Sequence, residues 1–395
     1  MQGWDAVAAL AIATRHAFRL GLDRLHPRAS GLPRSLDDLD ARFVAEALGA
    51  PVARIERLDR QHGTTSRARI ALHPSRAAPS PPWIPPPRSE DLRIPATVFA
   101  KLPARRFVEA WFGSMLALGG NEVRFYREVA PEVPVPVPHA HFAASSSDGA
   151  RFVLLLEDLV GCRFRTIADG CDLCEARAVL SELARLHARF WESEQLDGRL
   201  AWLPRRGAEP AEPVARWICR LAFGRALRRH GEAVSERIAR AAPRILALRD
   251  VLERAWAAPP RTLIHGDPHL GNLYFRRDGR VGFVDWQVVR CGQGMRDVTH
   301  FLVSSLPVVL RRAHQDELLA HYVACLAHAG VVGFGIREAR QQFRLHACYS
   351  WLAATVTAVA GSLQSQAVCA AAMERAAAAL EDERALEALE NLASG

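Results

Sequence analysis

Apolar residues recur at helical spacing over Asp5 to Leu25, which predicts a helix there. Ser35 precedes Asp37-Asp38 and offers an N-cap for a second helix running through Leu48. From Val52 the pattern shortens. Val52 to Leu58 and Arg67 to Leu72 read as strands, joined through Gln61-His62-Gly63-Thr64-Thr65-Ser66, and Ala96 to Lys101 reads as a third. Residues 73–95 are crowded with proline, as in Pro81-Pro82-Trp83-Ile84-Pro85-Pro86-Pro87. Neither a helix nor a central strand survives that density, so an extended loop is expected. Asn121 to Glu128 reads as a helix ended by Pro131, Val133 to Pro138 as a connector, and His141 to Ala144 with Phe152 to Leu156 as paired strands.

Beyond residue 158 the pattern is mostly helical. Val179, Leu180, Leu183, Leu186, His187, Phe190 and Trp191 form one stripe along Cys174 to Trp191. Amphipathic patterns follow over Val214 to His230 and Glu232 to Trp256. Further helices are expected over Asp316 to Ala329, stopped by Gly330, and Ile336 to Ala360, stopped by Gly361. An Ala-rich helix closes the chain, and its charge run Glu381-Asp382-Glu383-Arg384 reads as a solvated face.

One stretch interrupts the helices. Leu263-Ile264-His265-Gly266-Asp267-Pro268-His269-Leu270-Gly271-Asn272-Leu273-Tyr274-Phe275 leads through an Asp278-Gly279 turn to Val281-Gly282-Phe283-Val284-Asp285-Trp286. Asn272 to Phe275 and Val281 to Val284 are expected to pair as a hairpin, bringing Asp267, Asn272 and Asp285 to one end of it. Phosphoryl transfer asks for that grouping. One carboxylate, Asp267, orients the attacking hydroxyl, while Asn272 and Asp285 hold Mg²⁺ on the nucleotide phosphates. The His-x-Asp-x-x-x-x-Asn spacing followed by a strand ending in Asp matches the catalytic loop and metal carboxylate of kinases.

Lys101 is the only lysine; the fifty other cations among 51 Lys and Arg are arginines. Its place at a strand end suits a compact point charge on nucleotide phosphates, a role the planar guanidinium fork does not fill. The Gly63-Thr64-Thr65-Ser66 turn ahead of it offers backbone N–H groups and hydroxyls where phosphates could sit. A helix Glu is the expected partner of Lys101, with Glu122 and Glu109 as candidates and Glu128 as a surface residue.

His265-Gly266-Asp267 and Val284-Asp285-Trp286-Gln287 resemble the aminoglycoside phosphotransferase and choline kinase superfamily, and within it the ecdysteroid-kinase-like branch. The Glu-x-x-Phe-Tyr order after Glu122 resembles that family's equivalent helix, which selects Glu122 over Glu109. The resemblance covers roughly Ser35 to Gly361. It implies a bilobal protein-kinase-like α+β fold with a small antiparallel-sheet N-lobe and a larger, mostly helical C-lobe. The N-lobe is expected over 1–158, with the N-terminal helices and the Pro-rich loop, and the C-lobe over 159–395. It also implies ATP and Mg²⁺ as cofactors, adenine contacts from the backbone of Glu157 and Leu159, and Asp297 as a brace of the catalytic loop. His187, in a Leu-His-Ala phrase frequent in the family, reads as a core histidine. Gly266 stands where protein kinases carry an Arg for an activating phosphate, and the ten or so residues after Asp285 leave little room for an activation segment. Both point to a constitutively assembled small-molecule kinase.

Composition narrows this further. At 395 residues and 49% hydrophobic, the chain can bury a large core and is long for one compact unit. The net charge of +8 is spread over scattered arginines, so no nucleic-acid partner is expected. Cys171-x-x-Cys174 has no second pair to complete a zinc site, and the eight cysteines read as reduced thiols. No signal peptide or membrane span is indicated and the expected compartment is the cytoplasm. The helices expected to wall the acceptor pocket offer Trp217, Arg220, Arg344, His346, Tyr349 and Trp351, with Asp316, Glu317 and Glu338 as the acids that stand out after residue 310. That balance suits an uncharged or anionic hydroxylated acceptor. An aminoglycoside acceptor and a catalytically inactive nucleotide-binding protein are the alternatives, and GTP could replace ATP.

Overall fold

The computed structural model describes residues 2–25, 31–63, 65–75, 94–147, 149–205, 212–359 and 364–394. Thr64 and most of the Pro-rich loop lie outside the described residues. The chain forms two compact units. One comprises Ala13–Pro131 and Pro138–Val160; the other comprises Met1–Ile12, Glu132–Val137 and Gly161–Gly395.

The smaller unit is built on an antiparallel sheet. Helix α1 (Gln2–Leu25) belongs to it from Ala13 onward, followed by α2 (Ala41–Leu48) and strands β1 (Val52–Arg57), β2 (Gln61–His62), β3 (Thr65–Pro74) and β4 (Thr97–Pro103). Helices α3 (Phe107–Met115) and α4 (Leu118–Arg124) precede β5 (Ala140–Ser145) and β6 (Phe152–Glu157). The order is β1-β3-β4-β6-β5, with β2 pairing β3. Period-2 alternation turns Ala68, Ile70 and Leu72 of β3 and Val98, Ala100 and Leu102 of β4 into one core with Leu36, Leu39, Val44, Val153 and Leu155.

Two helix ends differ from expectation. Ser35 does not cap a helix reaching Leu48; it caps a 3-10 turn, Leu36–Asp38, and Asp40 caps α2 through Phe43 N–H at 2.7 Å. Leu36 and Leu39 are both buried, and the break between the two elements lets each point inward. Nor does Pro131 end the helix of Glu122. After α4 the backbone widens into a single π turn, Phe125–Val129, and Pro131 sits in a following 3-10 turn, Ala130–Glu132, where a missing N–H costs little. Gly119 is where α4 presses on β6, since a Cβ there would lie 2.1 Å from the Phe152 ring.

Among the described residues the larger unit is helical apart from five short strands. It contains β7 (Arg163–Phe164), α5 (Leu173–Arg189), α6 (Glu212–His230), α7 (Glu236–Ala241), α8 (Pro243–Ala247) and α9 (Arg249–Ala257). Then come β8 (Thr262–Ile264), β9 (Leu273–Phe275), β10 (Val281–Phe283), β11 (Arg290–Gly292), α10 (Met295–Ser305), α11 (Val308–His328), α12 (Ile336–Val359), α13 (Gln366–Asp382) and α14 (Ala385–Ser394). The helix expected over Glu232 to Trp256 is three short ones, because Pro243 has no N–H to continue α7 and instead opens α8. The closing helix is likewise two, α13 and α14, parted at Arg384 in the left-handed region (φ 47°). Its charge run is not a simple solvated face: Asp382 holds both Arg311 and Arg312. Helix α12 packs on α6, α10 and α13 and forms the centre of this unit.

All eight cysteines are free; Cys171 is buried while Cys174 is exposed, and burial raises the Cys171 and Cys348 thiols to about 12. At such values they are inert thiols. Among the described residues no helix is long and apolar enough to cross a membrane.

Candidate active site

The expected hairpin forms. Strands β9 and β10 pair antiparallel with Phe275 opposite Val281 and Leu273 opposite Phe283. Val284 N–H then donates to the Asn272 carbonyl (2.9 Å), which sets Asp285 next to Asn272. Asn272 Nδ2 donates to the Asp267 carbonyl (2.9 Å) and approaches its Oδ2 (3.4 Å). Asp267, Asn272 and Asp285 are thus gathered at one end of the hairpin by bonds of the loop itself.

His265 ties the loop to the strand. The ring is buried against Trp286 (4.6 Å) and Phe283 (5.8 Å). Nε2–H donates to the Val284 carbonyl (3.0 Å) and Nδ1 accepts from Asp267 N–H (3.3 Å), the pattern of a neutral imidazole. Burial keeps it so by lowering its pKa against the attraction of Asp297.

Asp297 closes the arrangement from the first turn of α10. Its Oδ2 accepts from His265 N–H (2.7 Å) and its Oδ1 from Gly266 N–H (2.9 Å). His187 Nε2 reaches the same carboxylate (3.4 Å), while its Nδ1 accepts from Tyr322 (2.8 Å). Burial opposes ionisation of Asp297, but the bond and charge of His187 outweigh it and hold the carboxyl below its ordinary value. Asp297 therefore braces the 265–267 loop through two charge-assisted bonds to backbone N–H groups. His187 is a buried histidine that steadies this brace.

The Asp267 carboxylate is about one-third exposed (32%). His300 Nε2 bonds its Oδ1 at 2.9 Å and His269 Nε2 stands 3.7 Å from Oδ2. Burial would raise this carboxyl; His269 and His300 outweigh it and keep it low. The result is an ionised carboxylate with Oδ1 held by His300 and Oδ2 more loosely engaged, by the Asn272 amide at 3.4 Å. Sequence reasoning did not single out His300. It lies three residues beyond Asp297, so helical spacing aims it at the same loop, and that is the one signal that could have found it.

Two backbone features are specific to the loop. Gly266 has φ 90°, and a Cβ there would meet the Val288 carbonyl at 2.3 Å. Asp285 adopts φ 65°, ψ 61°, a left-handed conformation that costs a non-glycine residue roughly 1–3 kcal/mol and tends to persist at functional positions. After Asp285 the chain makes one 3-10 turn, Trp286–Val288, pairs β11 with β8, and enters α10.

In the sheet unit, Lys101 Nζ lies 2.5 Å from Glu122 Oε2, and both side chains are buried. Glu109 instead stands 3.7 Å from Arg106, and Glu128 pairs with Arg124 at 2.9 Å on the surface. The phosphate turn is shorter than expected. Thr65 and Ser66 belong to β3, buried and opposite Pro103 and Leu102, because the strand ladder claims them. Gly63 is left in the turn, its N–H donating to the Thr65 carbonyl (3.1 Å). At the end of β6, Glu157 N–H already donates to the His139 carbonyl (2.7 Å), and Leu159 follows outside the strand.

The acceptor-wall residues also separate. Trp351 is fully buried, its ring 6.2 Å from Phe223, and His346 is stacked on Trp256 with Nε2 on Gln293 (2.8 Å), so both are core residues. Trp217, Arg220 and Arg344 are exposed. Tyr349 stays at the catalytic loop, its OH donating to the Gly266 carbonyl (3.1 Å) under the Arg296 guanidinium (3.9 Å from the ring centre).

A sequence model of the phosphotransferase enzyme family (APH) matches residues 116–341, more than half of the chain. The chain belongs to that family. The match takes in Glu122, the whole 265–285 loop and Asp297, and starts after Lys101. It bears out the expected aminoglycoside phosphotransferase and choline kinase superfamily, and the expected phosphotransferase activity on a hydroxyl. An ethanolamine kinase of Plasmodium vivax is 10% identical and aligns over 84% of this chain and 83% of its own, with a TM-score of 0.51. It shares the kinase-like α+β fold. A macrolide 2'-phosphotransferase of Brachybacterium faecium is 18% identical over 86% of this chain and 95% of its own, with a TM-score of 0.42. No curated protein sequence matches this chain.

Proposed function

We propose that this phosphotransferase moves the γ-phosphate of ATP, with Mg²⁺, to a hydroxyl of a small uncharged or anionic compound. The observation that carries the reading is the Asp267 carboxylate, ionised, partly exposed and fixed through His300, beside Asn272 and Asp285. Asp267 Oδ2 accepts or orients the acceptor's hydroxyl proton, a contribution of about 10² to 10⁴ in rate for a positioned base.

The donor set fits Mg²⁺. With Nδ2 of Asn272 engaged by Asp267, its Oδ1 is the atom turned to a cation, and Asp285 adds a carboxylate. One or two hard oxygen ligands completed by substrate phosphates are typical for this ion. Among the described residues no cluster of three or more His, Cys, Asp and Glu side chains forms an all-protein cage. When bound, Mg²⁺ would neutralise charge on the phosphate oxygens. Lys101, oriented by Glu122, serves as the cation for nucleotide phosphates. Gly63, with Thr64 beside it, supplies the turn that covers them, while Thr65 and Ser66 anchor that turn in β3, and Glu157 and Leu159 supply the base contacts.

The preference for an uncharged or anionic acceptor is supported by where the acids go. Asp316 pairs with Arg340 (2.9 Å), Glu317 with Arg177, and Glu338 with Arg337 (2.9 Å). Acids engaged in this way do not line a pocket for a polycation. Arg296 meanwhile places a cation against the catalytic loop.

The test is transfer of labelled γ-phosphate from ATP to a pooled library of hydroxylated metabolites, steroids and antibiotics, with wild type beside Asp267→Asn. A product lost in the variant supports the assignment and names the acceptor class. A product formed equally by the variant would remove Asp267 from catalysis, and no binding of ATP or GTP would overturn the kinase reading.

A further inference from the structure

Helix α1 carries an apolar face that the fold does not use. Its inward side is accounted for by Ala9 and Leu20, both buried, by the Ala13 carbonyl accepting from Trp111 Nε1 (2.8 Å), and by His16 Nδ1 bonded to Ser114 Oγ (2.9 Å). On the outward side Val7, Leu10, Phe18 and Leu22 are 64%, 68%, 67% and 41% exposed. At 100° per residue these four fall within roughly 120° of the helix circumference, a continuous stripe. Scattered surface apolar residues are ordinary; a stripe along one helix is not.

The charges around the stripe are of one sign. Arg15 and Arg19 border it on one edge and Arg24 on the other, with Arg15 and Arg24 exposed and Arg19 half-buried. Among the described residues Arg15 and Arg19 have no carboxylate partner. After burial, their charges are what lower the pKa of His16. Asp23 is turned inward, its Oδ1 held by Arg151 at 2.7 Å.

We propose that the outward face of α1, with the arginines along its edges, docks this protein on an anionic phospholipid surface. The helix would lie in the plane of the interface with Val7, Leu10, Phe18 and Leu22 set about 5–10 Å into the headgroup boundary and the guanidinium groups at phosphate level. Charge complementarity decides between occupants. A second copy packed on this face by a two-fold axis would bring the same arginines toward one another, with no carboxylate on the stripe to answer them. An anionic lipid surface answers both the stripe and its rim, at about 1 kcal/mol for each basic residue near it. This goes beyond the phosphotransferase reading and does not depend on it.

The experiment is co-sedimentation of the full chain with vesicles of phosphatidylcholine alone and of phosphatidylcholine containing phosphatidylglycerol. Binding is expected on the anionic vesicles, weakening as salt is raised, with little on the neutral ones. Phe18→Glu with Leu22→Glu should abolish it, and Arg15→Gln with Arg19→Gln should weaken it roughly tenfold or more. Phe18, Leu22 and Arg15 are exposed and Arg19 is half-buried, and melting curves like the wild type's would confirm intact variants. Absence of binding to anionic vesicles overturns the proposal, as does binding unchanged in either double variant. Light scattering that shows a dimer dissociated by Phe18→Glu would assign the face to a second copy instead.

Discussion

The two units handle a buried charge in opposite ways. In the sheet unit, a lysine on β4 and a glutamate on α4 neutralise each other at 2.5 Å. In the helical unit, Asp267 and Asp297 are surrounded by backbone N–H groups, an amide and three imidazoles, with no arginine or lysine in direct contact among the described residues. Pairing makes each partner depend on the other and cancels the charge. Dispersal over backbone N–H groups, an amide and imidazoles leaves the carboxylates ionised without a fixed partner cation.

If that contrast is right, breaking the pair has the largest effect. Glu122→Ala strands a buried cation and should cost about 3–5 kcal/mol of stability. Lys101→Met with Glu122→Leu should recover most of that loss while leaving phosphoryl transfer abolished. Denaturant melts of the single and double variants measure both, and a double variant as unstable as the single would mean the pair is not the issue. Asp297→Asn comes next. It turns an acceptor of two backbone bonds into a mixed donor and acceptor, at about 1.5–3 kcal/mol for a charged acceptor's bonds. Thermal melts would show the loss, together with reduced transfer.

Acid should loosen the chain in two steps. The folded pKa of His265 is lowered, as is that of His269, where burial is again the main cause. Their stability contribution is therefore complete above about pH 6.5 and declines as pH falls from there toward the folded values, by up to about 1.4 kcal/mol per pH unit and group. His16 and His141, more exposed, shift the same way and add to this slope. Asp267 and Asp297, also lowered, stabilise above their ordinary range near pH 3.9, and that part is lost as pH falls further. Melting temperature against pH should show both windows. The smallest effect is His300→Phe. Removing one bond to Asp267 is worth about 1 kcal/mol, or about fivefold in rate. His300→Asn, which keeps a donor, should recover part of it.

Much of the helical unit's chemistry was legible in the sequence because it is local. An apolar run, an Asp-Gly turn and fixed spacing place Asp267, Asn272 and Asp285 together whatever the rest does. Asp297 could be assigned only through resemblance, since an acid in the first turn of a helix has an ordinary meaning of its own. His300 was missed because a histidine among apolar neighbours reads as core until the loop it faces is known. The same ambiguity ran the other way for His346 and Trp351. Aromatic residues on one face of a helix look alike whether they line a pocket or fill a core. The break at Pro243 was visible, but periodicity continued across it and masked three helices as one.

Gly266 has a consequence for how this protein can evolve. Any side chain there meets the Val288 carbonyl and an unfavourable φ at once, so a single codon change cannot install the arginine that protein kinases use at this place to read a phosphorylated segment. A lineage carrying this loop would have to remodel residues 286–289 in the same step. The more accessible routes to control lie in how much of the protein is made and how much acceptor reaches it.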